Sequence, residues 1–265
     1  MVIRRLSGAA AAVLVTAGLV LGTPLPVRAD PSSASPVPVV TPTVLAEIPH
    51  DPDAYTEGLE IDGRTLYEAT GEVGKSQLRE LDPNTGAVLR SVPIPSNYFG
   101  EGITVVGDRI WQLTYVDGVA IEWDKATFTP LREVPVSGQG WGLCRDGDRF
   151  IRSDGTGRLR FHDLTTFAET GGVTVTRDGQ PVSGLNELDC VNGELWASLW
   201  PSDEIARIDP ATGQINLVAD MSGLWHFGDR SIGQVFSGIA HVSGEEFLVD
   251  GKDWPSMFRV RIPGA

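Results

Sequence analysis

Cysteine is scarce in this chain: 265 residues contain only Cys144 and Cys190. That excludes cysteine-rich zinc modules, iron–sulfur sites and densely bridged mini-domains. Histidine is nearly as rare, with four scattered residues that form no metal-ligand spacing. Positive charge is short as well: 21 Lys and Arg stand against 35 Asp and Glu, a formal net charge of −14. Such a surface argues against nucleic acid or an anionic membrane as partner and suits cationic ligands such as free amino termini. The one uninterrupted apolar run, residues 9–22, is shorter than the ~20 residues that span a bilayer. With Arg4 and Arg5 before it and Val27-Arg28-Ala29 after it, it reads as a cleaved secretory signal over residues 1–29. Its removal takes the charge to −17, because it holds three arginines and no acid. The expected location is outside the cell or in the envelope (periplasm), with no membrane contact after cleavage. There Cys144 and Cys190 are expected as a disulfide. Residues 30–42, rich in Pro, Ser and Ala, read as a linker, and residues 43–265 as one domain.

What the chain does have is one pattern written five times: Glu57-Gly-Leu-Glu-Ile-Asp-Gly63, Glu101-Gly-Ile-Thr-Val-Val-Gly107, Trp141-Gly-Leu-Cys-Arg-Asp-Gly147, Asn186-Glu-Leu-Asp-Cys-Val-Asn-Gly193 and Ser237-Gly-Ile-Ala-His-Val-Ser-Gly244. Each is a short apolar strand ending in a Gly turn, followed by a second apolar strand. The leading residues are 40 to 51 positions apart. Strand-turn-strand content at that period predicts an all-β, five-bladed β-propeller. Third and fourth strands are legible in four repeats, joined by turns such as Asp82-Pro-Asn-Thr-Gly86. The fifth repeat ends after its third strand, near Ile262. Thr43-Val-Leu-Ala-Glu-Ile48, at the other end of the chain, is expected to complete the last blade and close the ring, removing the open edges.

In a propeller the first strands line the axis, so the leading column Glu57, Glu101, Trp141, Asn186 and Ser237 should converge. The residues ending the second strands form a second column at the same mouth: Gly71, Tyr115, Gly155, Trp200 and Lys252. Carboxylates, an amide, an amine and aromatics in one mouth describe a site for a small molecule or a peptide end. The stretch 221–235 breaks the repeat spacing and reads as a loop over the mouth or else a long surface connection, with His226 as an ordinary packing residue.

These residues carry a resemblance. Tyr55-Thr-Glu-Gly-Leu59, Leu66-Tyr-Glu-Ala-Thr-Gly71, Ser76-Gln-Leu-Arg-Glu80, Tyr98-Phe-Gly-Glu-Gly102, Gln112-Leu-Thr114, Gly140-Trp-Gly-Leu143, Leu185-Asn-Glu-Leu188 and Gly251-Lys-Asp-Trp-Pro255 resemble the plant-type glutaminyl-peptide cyclotransferase family over roughly residues 44–262. The resemblance implies conversion of N-terminal glutamine to pyroglutamate with release of ammonia, on peptides or proteins; a monomer is expected. It implies Glu101 as the proton shuttle and Lys252 as the active-site lysine, steadying the oxyanion or tuning Glu101. Glu57, Phe99, Tyr115, Trp141, Asn186 and Trp200 would bind substrate. The scheme calls for no metal and no organic cofactor.

Three positions depart from the family pattern. Glu57 stands where the family often has Gln, Tyr115 where it has Trp, and Ser237 where it has Asn. A second carboxylate beside Glu101 would raise the pKa of one of the two, or would anchor the substrate's ammonium. Two other readings remain open on the sequence. One is a metal-dependent, lactonase-like propeller using Glu57, Glu101 and Asn186, which the nearby Lys252 ammonium opposes. The other is a non-catalytic extracellular binding propeller.

Overall fold

The computed structural model describes residues 35–265; the expected signal segment lies outside the described residues. Each repeat becomes a four-stranded antiparallel blade. Blade 1 is Thr56–Asp62, Thr65–Thr70, Gln77–Leu81 and Val88–Pro93; blade 2 is Gly100–Val106, Arg109–Thr114, Val119–Asp124 and Thr129–Pro135. Blade 3 is Leu143–Asp146, Arg149–Arg152, Arg158–Asp163 and Glu169–Thr174; blade 4 is Leu185–Val191, Glu194–Leu199, Glu204–Ile208 and Ile215–Asp220. Blade 5 takes Phe236–Ser243, Glu246–Gly251 and Ser256–Arg261 from the end of the chain, and Thr43–Pro49 as its outer strand. That last strand pairs antiparallel with Ser256–Arg261, so the ring closes as expected. Part of the Pro-rich stretch is also built in: Val39–Val40 adds in parallel to the edge of blade 4.

The apolar alternation along the strands buries one cluster between each neighbouring pair of blades. Trp123, Ile103 and Leu78 lie between blades 1 and 2; Trp111, Phe150 and Phe167 between 2 and 3; Leu159, Leu188 and Ile205's neighbours Ala206 and Ile208 between 3 and 4. Trp196, Phe247 and Trp254 lie between blades 4 and 5, and Leu59, Leu248 and Met257 between 5 and 1. No helix among the described residues is long and apolar enough to cross a membrane.

Near the axis the packing is tighter than any side chain allows. A Cβ on Gly58 would lie 2.9 Å from Ile103 N, one on Gly102 2.5 Å from Trp141 O, and one on Gly142 2.2 Å from Asn186 O. This is why Gly follows the leading residue in those repeats. In the fourth repeat Glu187 holds that place instead, buried in the channel with Oε1 accepting from Leu59 N at 3.2 Å.

Cys144 and Cys190 are bridged, joining the inner strands of blades 3 and 4 across 46 positions. Confining a loop of that length in the unfolded chain is worth about 4 kcal/mol. Replacing both cysteines by Ala should lower the unfolding free energy in urea by up to about that amount, while ligand turnover by the folded fraction stays unchanged. Bridged and doubly substituted proteins with equal urea midpoints would show that the bridge does not stabilise the fold.

Candidate active site

The leading residues owe their direction to a repeated irregularity. In blades 1, 2, 4 and 5 the pairing of the first with the second strand slips at the leading position: between Thr56 and Gly58, Gly100 and Ile103, Leu185 and Leu188, and Phe236 and Ile239. Two residues there face one, a bulge that turns the strand and re-aims its side chains. Glu57, Glu101, Asn186 and Ser237 all sit on these bulges. Trp141 precedes its strand, and its carbonyl accepts from Gly102 N at 2.8 Å, tying blade 3 to blade 2.

The two columns meet in a cavity of 260 Å³ lined by Glu57, Phe99, Glu101, Tyr115, Trp141, Asn186, Trp200, Lys252 and also Tyr55. All eight residues expected from the sequence line it. Five rings form a continuous arc round the mouth. Successive centroid separations are 6.1 Å for Tyr55–Phe99, 5.8 Å for Phe99–Tyr115, 6.4 Å for Tyr115–Trp141 and 5.9 Å for Trp141–Trp200. The glycines of the trailing column make room for them: a Cβ on Gly71 would strike the Phe99 ring, and one on Gly155 the Trp141 ring. Lys252 Nζ closes the arc, 4.8 Å from the Tyr55 centroid. Tyr55 was not singled out from the sequence. Its signal was there, since it precedes Glu57 by two positions as Phe99 precedes Glu101.

At the base of the cavity Lys252 Nζ lies 2.7 and 2.6 Å from the two oxygens of Glu57. Both carboxylate oxygens are therefore engaged inside the protein. Burial pushes the Glu57 carboxyl upward while Lys252 pulls it back. Glu101 has no such cation of its own. Burial first, then the Glu57 charge, push its carboxyl well above the ordinary value, against a smaller pull from Lys252. Its Oε2 is buried with no protein partner. Of the two carboxyls, both raised by burial, Glu101 is pushed harder toward its protonated form, because Lys252 offsets more of the burial at Glu57. Asn186 Nδ2 donates to Ser237 Oγ at 3.4 Å, leaving its Oδ1 as an acceptor for a ligand.

A profile of the glutamine cyclotransferase family matches residues 16–262. The chain belongs to the glutamine cyclotransferase family. It is 39% identical to a glutaminyl-peptide cyclotransferase of Arabidopsis thaliana over 229 residues, covering 84% of this chain and 71% of that protein. It superposes on the crystal structure of a Myxococcus xanthus glutaminyl cyclase with a TM-score of 0.80 at 35% identity, over 86% of this chain and 98% of that one.

In this cyclotransferase family member the 221–235 stretch divides its roles. Trp225 and Phe227 pack on the cluster between blades 4 and 5. His226 points away from the cavity, toward Glu47 on the outer strand at 3.4 Å. Only the far part comes near the mouth, where Arg230 pairs with Asp203 at 2.6 Å and Gln234 Nε2 donates to Asp253 O. The donor set for a lactonase-like metal site is compromised, because Glu57 already spends both oxygens on an ammonium.

Further down the channel burial raises more carboxyls. Glu60 is raised to about 8, by burial and then by the Asp189 charge, and Asp189 to about 6 by burial. Glu187, like Glu101, is raised well above the ordinary carboxyl value, first by burial. An acid whose folded pKa exceeds its unfolded value binds protons in the folded state that the unfolded chain has released. Its contribution is full below the unfolded value near 4 and is lost as pH rises through the folded one. The thermal midpoint at constant ionic strength should therefore fall between about pH 5 and pH 8. A midpoint that rises over that window would contradict these assignments.

Proposed function

We propose that the chain converts the N-terminal glutamine of peptides or proteins to pyroglutamate and releases ammonia, with Glu101 as the proton shuttle. The observation that carries this reading is the buried Glu101 carboxyl, pushed toward its neutral form and with one oxygen unpartnered, beside the Glu57–Lys252 ion pair. The reaction joins the α-amine nitrogen to the side-chain carboxamide carbon and breaks the bond from that carbon to its NH2. The attacking amine must lose a proton and the departing nitrogen must gain one. A neutral carboxyl does both. One oxygen accepts the amine proton while the other delivers the proton it holds, and Glu101 ends as it began.

The remaining roles follow from position. Lys252 keeps Glu57 ionised, and the ionised Glu57 keeps Glu101 protonated. The same ammonium, close to the reacting carbon, lowers the energy of the tetrahedral oxyanion. Asn186 Oδ1 accepts from the substrate's N–H groups. Phe99, Tyr115, Trp141, Trp200 and Tyr55 wall in the glutamine side chain and keep water out, which favours cyclisation over hydrolysis. The departure at Glu57 is compatible with this chemistry, because its carboxylate is neutralised internally rather than presented to the ligand. The disulfide supports action outside the cytoplasm.

The direct test is ammonia release from a glutaminyl dipeptide amide by purified protein, with and without a chelator. Release with pyroglutamyl product is expected in both; no release from folded protein would refute the reading. Glu101→Gln should keep the fold and lose about 10²- to 10⁴-fold in kcat. Activity needs the protonated carboxyl, so kcat should hold through neutral pH and fall on the alkaline side. A decline centred in the ordinary carboxylate range, near pH 4 to 5, would remove Glu101 from the shuttle role.

A further inference from the structure

A fully buried cluster of polar side chains that the cyclisation scheme leaves unused lies where the last blade meets the first. His50 follows directly on the closing strand Thr43–Pro49. Its side chain is shut off from solvent together with those of Glu68 and Asp250. Nε2 lies 2.9 Å from Glu68 Oε1 and 3.5 Å from Asp250 Oδ2. Nδ1 lies 3.1 Å from Trp254 O. A carbonyl oxygen can only accept, and so can an ionised carboxylate, so each ring nitrogen has to carry a hydrogen. Burial opposes ionisation of Glu68, but the His50 and Arg79 charges lower its carboxyl; with Glu68 ionised, the ring is an imidazolium. Burial opposes that charge, but Glu68 and Asp250 overcome it and raise the ring to about 9.

The other members complete the cluster. Thr56 Oγ1 lies 2.9 Å from Glu68 Oε1 and 3.2 Å from Asp250 Oδ2. Arg79, on the third strand of blade 1, reaches Glu68 Oε2 at 3.5 Å and Asp51 at 3.0 Å. Glu68, Asp250, whose carboxyl burial raises to about 7, and behind them Arg79 and Asp51 are thus the titratable and charged groups around the ring. The nearest oxygens of Glu68 and Asp250 and the ring nitrogen fall within 4.8 Å of one another, a spacing that a metal ion could use. Yet these atoms already bond to each other, and a cation would have to displace the ring proton beside a guanidinium. The cluster is a polar lock.

Its members flank the ion pair of the site. Thr56 immediately precedes Glu57; Asp250 and Trp254 each stand two positions from Lys252. Glu57 and Lys252 are 195 positions apart, and the covalent path between them runs round the whole ring. We propose that His50, as an imidazolium clamped between Glu68 and Asp250, is a positioning residue for the cyclisation: it holds the first and last blades at the separation at which Lys252 reaches both oxygens of Glu57. This inference rests on the catalytic reading of Glu101 and its neighbouring ion pair.

Three measurements test it. In wild-type protein, the ¹⁵N spectrum of His50, assigned by its loss in His50→Gln or by sequential assignment, should show two protonated ring nitrogens at pH 7.5. A neutral ring there would overturn the proposal. His50→Gln and Thr56→Val should each lower kcat by about tenfold to a hundredfold, with KM changed far less. A Glu57 that has lost its ammonium takes up a proton and its charge no longer raises Glu101, so the alkaline limb of kcat should also move to lower pH. Thr56→Ser, which keeps the hydroxyl, should restore both. Folded variants with wild-type kcat, or with reduced kcat and an unmoved alkaline limb, would reduce the cluster to a purely structural role and overturn the inference. If His50→Gln does not fold, the Thr56→Val and Thr56→Ser pair decides. Failure of the wild-type protein to release ammonia is a separate outcome: it refutes the proposed function and leaves the ¹⁵N result standing.

Discussion

The constraint on which this molecule depends is the crowding of five inner strands around one axis. Their backbones approach so closely that no Cβ fits at Gly58, Gly102 or Gly142. Such contact leaves the leading side chains one direction to go, and the bulges at those positions aim them there. Residues spread through the chain thus meet in one small cavity. Where the fourth repeat carries Glu187 instead of glycine, the channel gains a buried carboxyl that burial pushes well above the ordinary value.

The electrostatics of the site follow from who has a partner. Moving a charged group out of water costs several kcal/mol, and a well-placed counter-ion offsets most of that. Glu57 has Lys252 on both oxygens; Glu101 has a neighbouring anion and an oxygen with no partner. Two carboxyls of the same chemistry are therefore pushed unequally toward their protonated forms. The aromatic arc contributes to the same result by excluding water, which strengthens every charge interaction inside. Rigid rings suit the purpose, having few rotamers to lose when a ligand binds.

Ring closure and chemistry are coupled at the seam between blades 5 and 1. The closing strand, the apolar cluster of Leu59, Leu248 and Met257, and the polar lock around His50 all act on that seam. Lys252 and Glu57 approach it from opposite sides. A propeller closed at this point makes its ion pair as a direct consequence of completing its last blade.

The five-fold repeat, the closing strand, the bridged cysteines and eight of the nine lining residues were legible in the sequence. Each is periodic or local: alternation marks strands, glycine marks turns and close approaches, and equal spacing round a ring places equivalent residues together. Tyr55 belonged to the same periodicity, one column further out. What only the tertiary structure decided was pairing and protonation. Whether Lys252 would serve Glu101 or Glu57, which carboxyl would keep the proton, and that His50, Glu68 and Asp250 would form one buried cluster all depend on distances of 3 Å between residues as many as 200 positions apart. A charge in a buried site responds to its nearest partner and to its depth, and neither quantity is written in the order of the residues.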